Sequence, residues 1–418
     1  MLKRILFFLL LCLASINLSA QYVNGDDLEI KIAVAGPDTQ LYFWWGHLAL
    51  IINNTRTNEN YFYDYGVFSF NKEDFYYDFA FGRLNYTSVK SSTDYNINNY
   101  IENNRDITLY TLDLPSEKKE ILYHEVQLSI GDEYLYHHFY QNCVTRVLDL
   151  INDATDGQFK SHFQNTPGRY TLRQHVRRFT WFSPFYDWIL NFWMGQRIDV
   201  PISVWDEMFL PSETARQIVD YYYIDSDDNI RKLVTDVETI YTAHSRPGIL
   251  EVPLKQWLIT LGFSIFLAAV LGFLFFMQKK FPAAGQVLLG LTHSFLGLFF
   301  GFTGLLLFFM AFFTVHDYTF NNINLLFCNP LLLAAFPLGI RYAFSSNYYK
   351  RIKFEFMLRL LWLLVVLGIF VSMLIKISPN YWQDNLTDQM LMLPIALVLS
   401  LEPAGLKRMV RRIFWRCF

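Results

Sequence analysis

The chain has 418 residues and a formal net charge of −3, so it has no basic excess with which to hold nucleic acid. Its 53% hydrophobic and 18% aromatic residues against 17% charged exclude an ordinary soluble composition. The apolar excess is concentrated: residues 21–250 carry frequent Asp, Glu, Asn and Tyr, whereas 256–401 is mostly long apolar runs, so part of the chain lies in lipid.

At the N-terminus, Lys3 and Arg4 precede an apolar stretch from Ile5 to about Leu13, and the small residues Ser15, Ser19 and Ala20 follow. That order predicts a secretory signal over residues 1–20 with Ala20 at the cleavage site. Removed or kept as an anchor, it delivers residue 21 to the far side of the membrane. The exported domain, 21–250, reads as α+β. Trp45-Gly46-His47-Leu48-Ala49-Leu50-Ile51-Ile52 predicts a strand opened by a histidine, because a glycine is followed by an apolar, β-branched run. The polar turn from Asn53 to Asn58 separates it from a second strand over 61–68, and 84–90 and 106–113 predict two more. Glu117 to Ile130 has helical character, and the aromatics Tyr134, Tyr136, Phe139 and Tyr140 follow. Gln141-Asn142-Cys143-Val144-Thr145-Arg146-Val147-Leu148 opens a helix whose Val144, Val147, Leu148 and Ile151 recur at helical spacing, so one face packs inward. From there to about residue 250 the sequence is aromatic and reads as loop-rich.

Of four cysteines, Cys12 belongs to the signal, Cys328 to a predicted span and Cys417 to the C-terminal tail. Cys143 alone occupies the exported domain, with no partner for a disulfide. An unpaired thiol in an oxidising compartment is either a buried small hydrophobe or a chemical group. Its place at a helix start favours the second reading, because a helix N-terminus with a nearby imidazole lowers a thiol pKa toward the nucleophilic thiolate. His47 is the expected base, with a satisfied core histidine as the bland alternative and His137-His138, close to Cys143 in sequence, as the rival. Asp64 lies on the strand expected to pair with that of His47, within the aromatic run Tyr61 to Tyr65, and is expected to orient the imidazole. The bland alternative is a turn residue ahead of Gly66. The remaining exported histidines, His124, His162, His175 and His244, have no metal-ligand spacing, so neither a metal nor a cofactor is expected. Arg146 reads as a phosphate contact or thiolate stabiliser, or else as a surface ion pair.

Five transmembrane spans follow in a domain over 251–418, judged against the ~20 apolar residues that cross a bilayer: Gln256–Met277, Val287–Val315, Ile323–Phe344, Phe354–Ile375 and Gln389–Leu406. Lys279 and Lys280 fall between the first two, Arg341, Lys350, Arg351 and Lys353 between the third and fourth, and Lys407, Arg408, Arg411, Arg412 and Arg416 after the fifth. Those segments are expected to face the cytoplasm, leaving the exported domain and the loops His316–Asn322 and Pro379–Asp388 on the other side. His316, Asp317, Asn321, Asn322 and Asn324 form a polar cluster there, either a solvated loop or a hold on a phospholipid headgroup or an incoming amine.

Gly46-His47-x-Ala49-Leu50, Asp64-Tyr65-Gly66-x-Phe68-x-Phe70, Phe81-Gly82 and Asn142-Cys143-x-Thr145, in that order and followed by several spans, resemble the Lnb family of Bacteroidota, lipoprotein N-acyltransferases with an N-terminal periplasmic domain. A histidine strand ahead of an Asn-Cys helix also resembles the circularly permuted branch of the papain-like NlpC/P60 superfamily, which includes lecithin:retinol acyltransferases. The resemblance implies a permuted papain-like α+β domain followed by an all-α bundle of about five transmembrane helices, seated in the inner membrane. It implies that Cys143 attacks an ester carbonyl of a membrane phospholipid and that His47 takes the thiol proton. The thioester-held acyl chain then passes to the free α-amine of a diacylglyceryl-cysteine lipoprotein. The backbone N–H of Cys143 and the side-chain amide of Asn142 or Gln141 are the expected oxyanion donors. Two other readings stay open: a membrane-anchored cysteine hydrolase, acting on phospholipid or peptidoglycan, and a non-catalytic membrane protein that binds a partner through its aromatic exported surface.

Overall fold

The computed structural model describes residues 23–68 and 74–400. The expected signal with Cys12 and Ala20, Phe70, the end of the fifth expected span and the basic tail with Cys417 lie outside the described residues. Internal contacts divide the chain into two compact units, each assembled from separate stretches.

The first unit takes the chain through Phe68, then Asn85–Thr166 and Ser203–Arg246. Its strands are β1 (Leu28–Ala35), β2 (His47–Asn54), β3 (Glu59–Val67), β4 (Asn85–Ser92), β5 (Ile107–Leu112), β6 (Glu133–Leu135), the hairpin β7 (Tyr222–Ile224) with β8 (Ile230–Lys232), and β9 (Val234–Tyr241). Seven of them form one antiparallel sheet in the order β6-β4-β3-β2-β1-β5-β9. The four expected strands are β2 to β5. Strands β1 and β9 lay outside that reading, although Leu28, Ile30 and Ile32 alternate with Glu29 and Lys31 in the two-residue period of a half-buried strand. On one face Ile30, Ile32, Leu48, Leu50, Ile52, Tyr63 and Tyr65 pack with Val144, Val147, Leu148 and Ile151 of the helix Cys143–Ala154. Each fully buried aliphatic side chain there is worth roughly 1.5–3 kcal/mol. The opposite face, with Ala33, Ala49, Ile51 and Phe62, is closed by Tyr100 of the helix Thr93–Glu102.

The stretch after Cys143, expected to be loop-rich, is largely helical: Gln158–Phe163, Leu172–Thr180, Pro184–Trp193, Val204–Glu207 and Pro211–Ile218. None of these exceeds ten residues, too short for a periodic pattern to show. Their starts follow local rules, with capping boxes at Thr171 and Ser203 and proline in the first turn at Pro184 and Pro211.

The second unit takes the segment ending at Leu84, Pro167–Ile202 and the chain from Pro247 onward. Four of its segments are long and apolar enough to cross a membrane: Trp257–Lys280, Pro282–Phe313, Ile323–Phe344 and Tyr348–Ile375. The helix Leu386–Ser400 is shorter within the described residues. The third segment is broken, with 3-10 turns at Ile323–Leu326 and Pro330–Ala334 leading into the helix Ala335–Phe344. Glycines on Pro282–Phe313 let this segment come close: a Cβ at Gly297 would lie 2.4 Å from that of Ala335, and one at Gly304 2.7 Å from the Cys328 carbonyl. The helices Leu172–Thr180 and Pro184–Trp193 are bound into this unit. Arg173, fully buried, pairs with Asp199 at 2.7 Å, and the carbonyl of Phe192 accepts from both Asn322 and Asn324 at 2.9 Å. The protein is an α+β sheet domain followed by a helical membrane region.

Candidate active site

Three pieces of the first unit converge at one end of its sheet. Gly46, held at φ 81 with no room for a Cβ beneath the Ala35 carbonyl, turns the chain into β2 so that His47 is its first residue. Asp64 lies on β3 where the register with β4 slips between Asp64 and Val67, a bulge of the kind that re-aims side chains beside functional sites. One carboxylate oxygen, Asp64 Oδ1, accepts from the Gly66 N–H at 2.7 Å and bonds His47 Nε2 at 3.0 Å. Cys143 enters from the helix start. The meeting point is Gly66: a Cβ there would stand 2.8 Å from His47 Cε1 and 3.3 Å from the Cys143 Cβ. The imidazole and the Cys143 side chain therefore approach the same backbone position, where any other residue would crowd them.

Burial pulls the His47 pKa down, but the Asp64 carboxylate, with smaller contributions from Tyr100 and Cys143 and from the Asp64 hydrogen bond, holds it well above 6.5. Burial likewise pushes Asp64 up. The charge and hydrogen bond of His47, the Gly66 N–H and the field of Arg105 outweigh it and keep the carboxyl below 3.8. The pair rests as imidazolium and carboxylate. With Nε2 turned to Asp64, Nδ1 is the ring nitrogen left for proton exchange.

At the helix start, Asn142 is the N-cap. Its Oδ1 caps the N–H groups of Val144 and Thr145, and its two amide hydrogens go to the carbonyls of His138 and Phe209. The Thr145 hydroxyl completes a capping box by accepting from the Asn142 N–H. Both amide hydrogens of Asn142 are thus engaged within the fold. Gln141 is exposed and its backbone pairs with His137 in an isolated bridge. The backbone N–H of Cys143, the first of the helix, is left uncapped among the described hydrogen bonds of that turn and is the available oxyanion donor. His137, the rival base, accepts the N–H groups of Phe139 and Tyr140 on Nδ1 and so shapes the turn ahead of the helix.

Tyrosines wall the thiol. Tyr86 and Tyr136 stack at 4.0 Å, the Tyr134 hydroxyl donates to the Tyr65 carbonyl, and burial, with Cys143 close by, raises all three phenols. Arg105, buried between the rings of Phe43 and Tyr100, adds a fixed positive charge behind Asp64. Neither Arg105 nor the tyrosine Tyr86 carried any sequence pattern that singled it out. Arg146 lies over the Tyr134 ring at 5.4 Å and, with Tyr65, Ser88, Ser129, Asp132, Glu133 and Tyr134, lines a cavity of about 190 Å³. In the membrane unit, His316 bonds the Phe79 carbonyl through Nε2 and the Tyr318 hydroxyl through Nδ1. Asn321 is an exposed left-handed turn residue at φ 53. The ring of His316 is thus held by contacts internal to that unit. No group of His, Cys, Asp or Glu among the described residues is arranged to hold a metal ion.

A cysteine at a helix start beside a histidine–aspartate pair, on a sheet domain joined to a membrane bundle, defines a membrane protein with a cysteine-centred candidate site. Residues 17–178 match the family model of the Lnb N-terminal periplasmic domain, and residues 255–382 match that of the Lnb transmembrane domain. The chain belongs to the Lnb family, membrane-associated enzymes of lipoprotein modification with a periplasmic N-terminal domain. No curated protein and no solved structure matches it.

Proposed function

We propose that the protein is an N-acyltransferase that moves an acyl chain from a membrane phospholipid, through a thioester on Cys143, to the N-terminal amine of a diacylglyceryl-cysteine lipoprotein. The observation that carries this reading is the shared border of His47 and Cys143 at Gly66, with Asp64 behind the imidazole.

In the first half-reaction the Cys143 thiolate, its proton held by His47, adds to the ester carbonyl. The oxyanion is met by the Cys143 N–H, a type of donor worth roughly 3 kcal/mol of barrier. The C–O bond then breaks, and imidazolium gives its proton to the departing lysophospholipid oxygen. In the second, the neutral α-amine adds to the thioester, the C–S bond breaks, and the amine proton passes to the imidazole, which restores the thiolate–imidazolium pair. Asp64 fixes the ring and stabilises its charged form through both steps. Lipid-embedded helices support acyl transfer over peptidoglycan cleavage, because a wall substrate gives no reason for a set of spans. The basic loops support an inner-membrane location with the C-terminus in the cytoplasm.

The test is mass spectrometry of a lipoprotein N-terminus from cells carrying wild-type or Cys143→Ala protein. The third acyl chain is expected in the first and absent in the second. Its presence in both would overturn the acyltransferase reading.

A further inference from the structure

The helix Pro184–Trp193 lies outside both matched family ranges, and its surface is unlike that of the sheet domain's helices. Ser116–Leu128, for comparison, carries Glu117, Lys118, Lys119, Glu120 and Glu125. From Phe182 to Gln196 there is one charge, Asp187, and it is buried, bonded to Thr180 and, at 3.2 Å, to Asn191. Phe185 and Tyr186 are instead 57% and 43% exposed. A helix with no exposed charge and with exposed aromatics is costly against water and ordinary at a membrane interface.

Its neighbours say where it sits. Ile189 and Phe192 are buried in the bundle core with Phe300, Leu307 and Trp362. On the surface, rings run without interruption from Phe185 to Trp188 (6.1 Å), from Trp188 to Phe299 (5.8 Å, stacked) and from Phe299 to Phe295 (6.4 Å, stacked). Phe295, 66% exposed, belongs to the span Pro282–Phe313. Counted from Pro282, where the helix leaves the Lys279–Lys280 turn at one membrane face, Phe299 is about 25 Å along its helix at ~1.5 Å per residue. That is just short of the far edge of a hydrocarbon core ~30 Å thick.

We propose that Pro184–Trp193 is an in-plane helix of the leaflet opposite the Lys279–Lys280 turn, where Phe185 and Tyr186 contact phospholipid acyl chains just below the headgroups. The apolar face continues the lipid-facing surface of the span, and outer-leaflet phospholipid is its occupant. The inference is independent of the role given to Cys143.

The experiment places the photoreactive p-benzoylphenylalanine at position 185 of the full chain, in nanodiscs of phosphatidylethanolamine and phosphatidylglycerol with radiolabelled acyl chains. Position 266, on the span Trp257–Lys280 and 63% exposed, is the lipid-facing reference, and position 95 on the sheet domain, 69% exposed, is the aqueous one. Lipid adduct at 185 at the level of 266, with near-complete loss at 95, is the expected result. Adduct at 185 no higher than at 95 overturns the proposal. Position 186 repeats the comparison should the probe at 185 prevent monodisperse elution, and the same two outcomes decide it.

Discussion

Gly66 matters through the atoms it lacks. A methyl group at that position would stand 2.8 Å from His47 Cε1, and the imidazole is the softer neighbour, so it moves first. Gly66→Ala is expected to lower acyl transfer by about two orders of magnitude through misplacement of the base, at a stability cost of about 1–3 kcal/mol. Transfer measured by mass spectrometry beside thermal unfolding separates the two; equal transfer in both proteins would remove Gly66 from the site. Asp64→Asn tests the pair by pH. His47, with its folded pKa raised, adds stability that is fully present below 6.5 and is lost as pH climbs through the folded value. Asp64, held low, adds stability that is present above 3.8 and is lost as pH falls through its folded value. The gap between wild type and Asp64→Asn is therefore widest between 3.8 and 6.5, at about 2 kcal/mol, and narrows on the alkaline side. The rate limb that reports His47 moves to lower pH in the variant, because the largest influence raising its pKa has been removed. A pH-independent gap in chemical denaturation would contradict the charged pair.

Among the elements, the Cys143 helix shows how a polar residue beside a nucleophile can belong to architecture. Asn142 satisfies two helix N–H groups and ties the start of the helix to the carbonyls of His138 and Phe209. Asn142→Ala is expected to cost about 1–2 kcal/mol as a lost cap, visible in thermal unfolding. Asn142→Asp keeps the cap acceptor and loses both donors, so it should fall between wild type and Ala in stability. If instead Asn142→Ala unfolds like wild type but transfers no acyl chain, the residue acts on the reaction and not on the helix. The amphipathic spacing of Val144, Val147, Leu148 and Ile151 was legible beforehand, since it repeats within three turns. Occupation of the Asn142 amide was not, because Phe209 lies 67 residues away.

For the molecule as a whole, neither compact unit is a continuous stretch of chain. The membrane unit draws Trp188, Ile189 and Phe192 from a segment that precedes its first span by more than sixty residues, and two of its polar side chains, Asn322 and Asn324, find their acceptor at the Phe192 carbonyl. A polypeptide beginning at Pro247 lacks those partners. It is expected to aggregate and to be cut rapidly by protease in detergent, and co-expression of residues 1–246 should restore a monodisperse complex. Equal protease resistance with and without the N-terminal piece would show that Pro167–Ile202 is dispensable to this unit.

Apolar run length and period, properties of neighbouring residues, were enough to reveal four segments long and apolar enough to cross a membrane, the strand opened by His47, the helix opened by Cys143 and, with the order of short motifs, the Lnb resemblance. Contacts between distant residues decided the rest. The assignment of Asn142 to capping and of His316 to internal hydrogen bonds, the close approach at Gly66, and the membership of Pro184–Trp193 in the membrane unit all depend on atoms brought together by folding across tens to hundreds of residues. Local periodicity reports which face of an element is apolar. Only the packed chain determines which other element that face meets, and which hydrogen bonds are thereby already made.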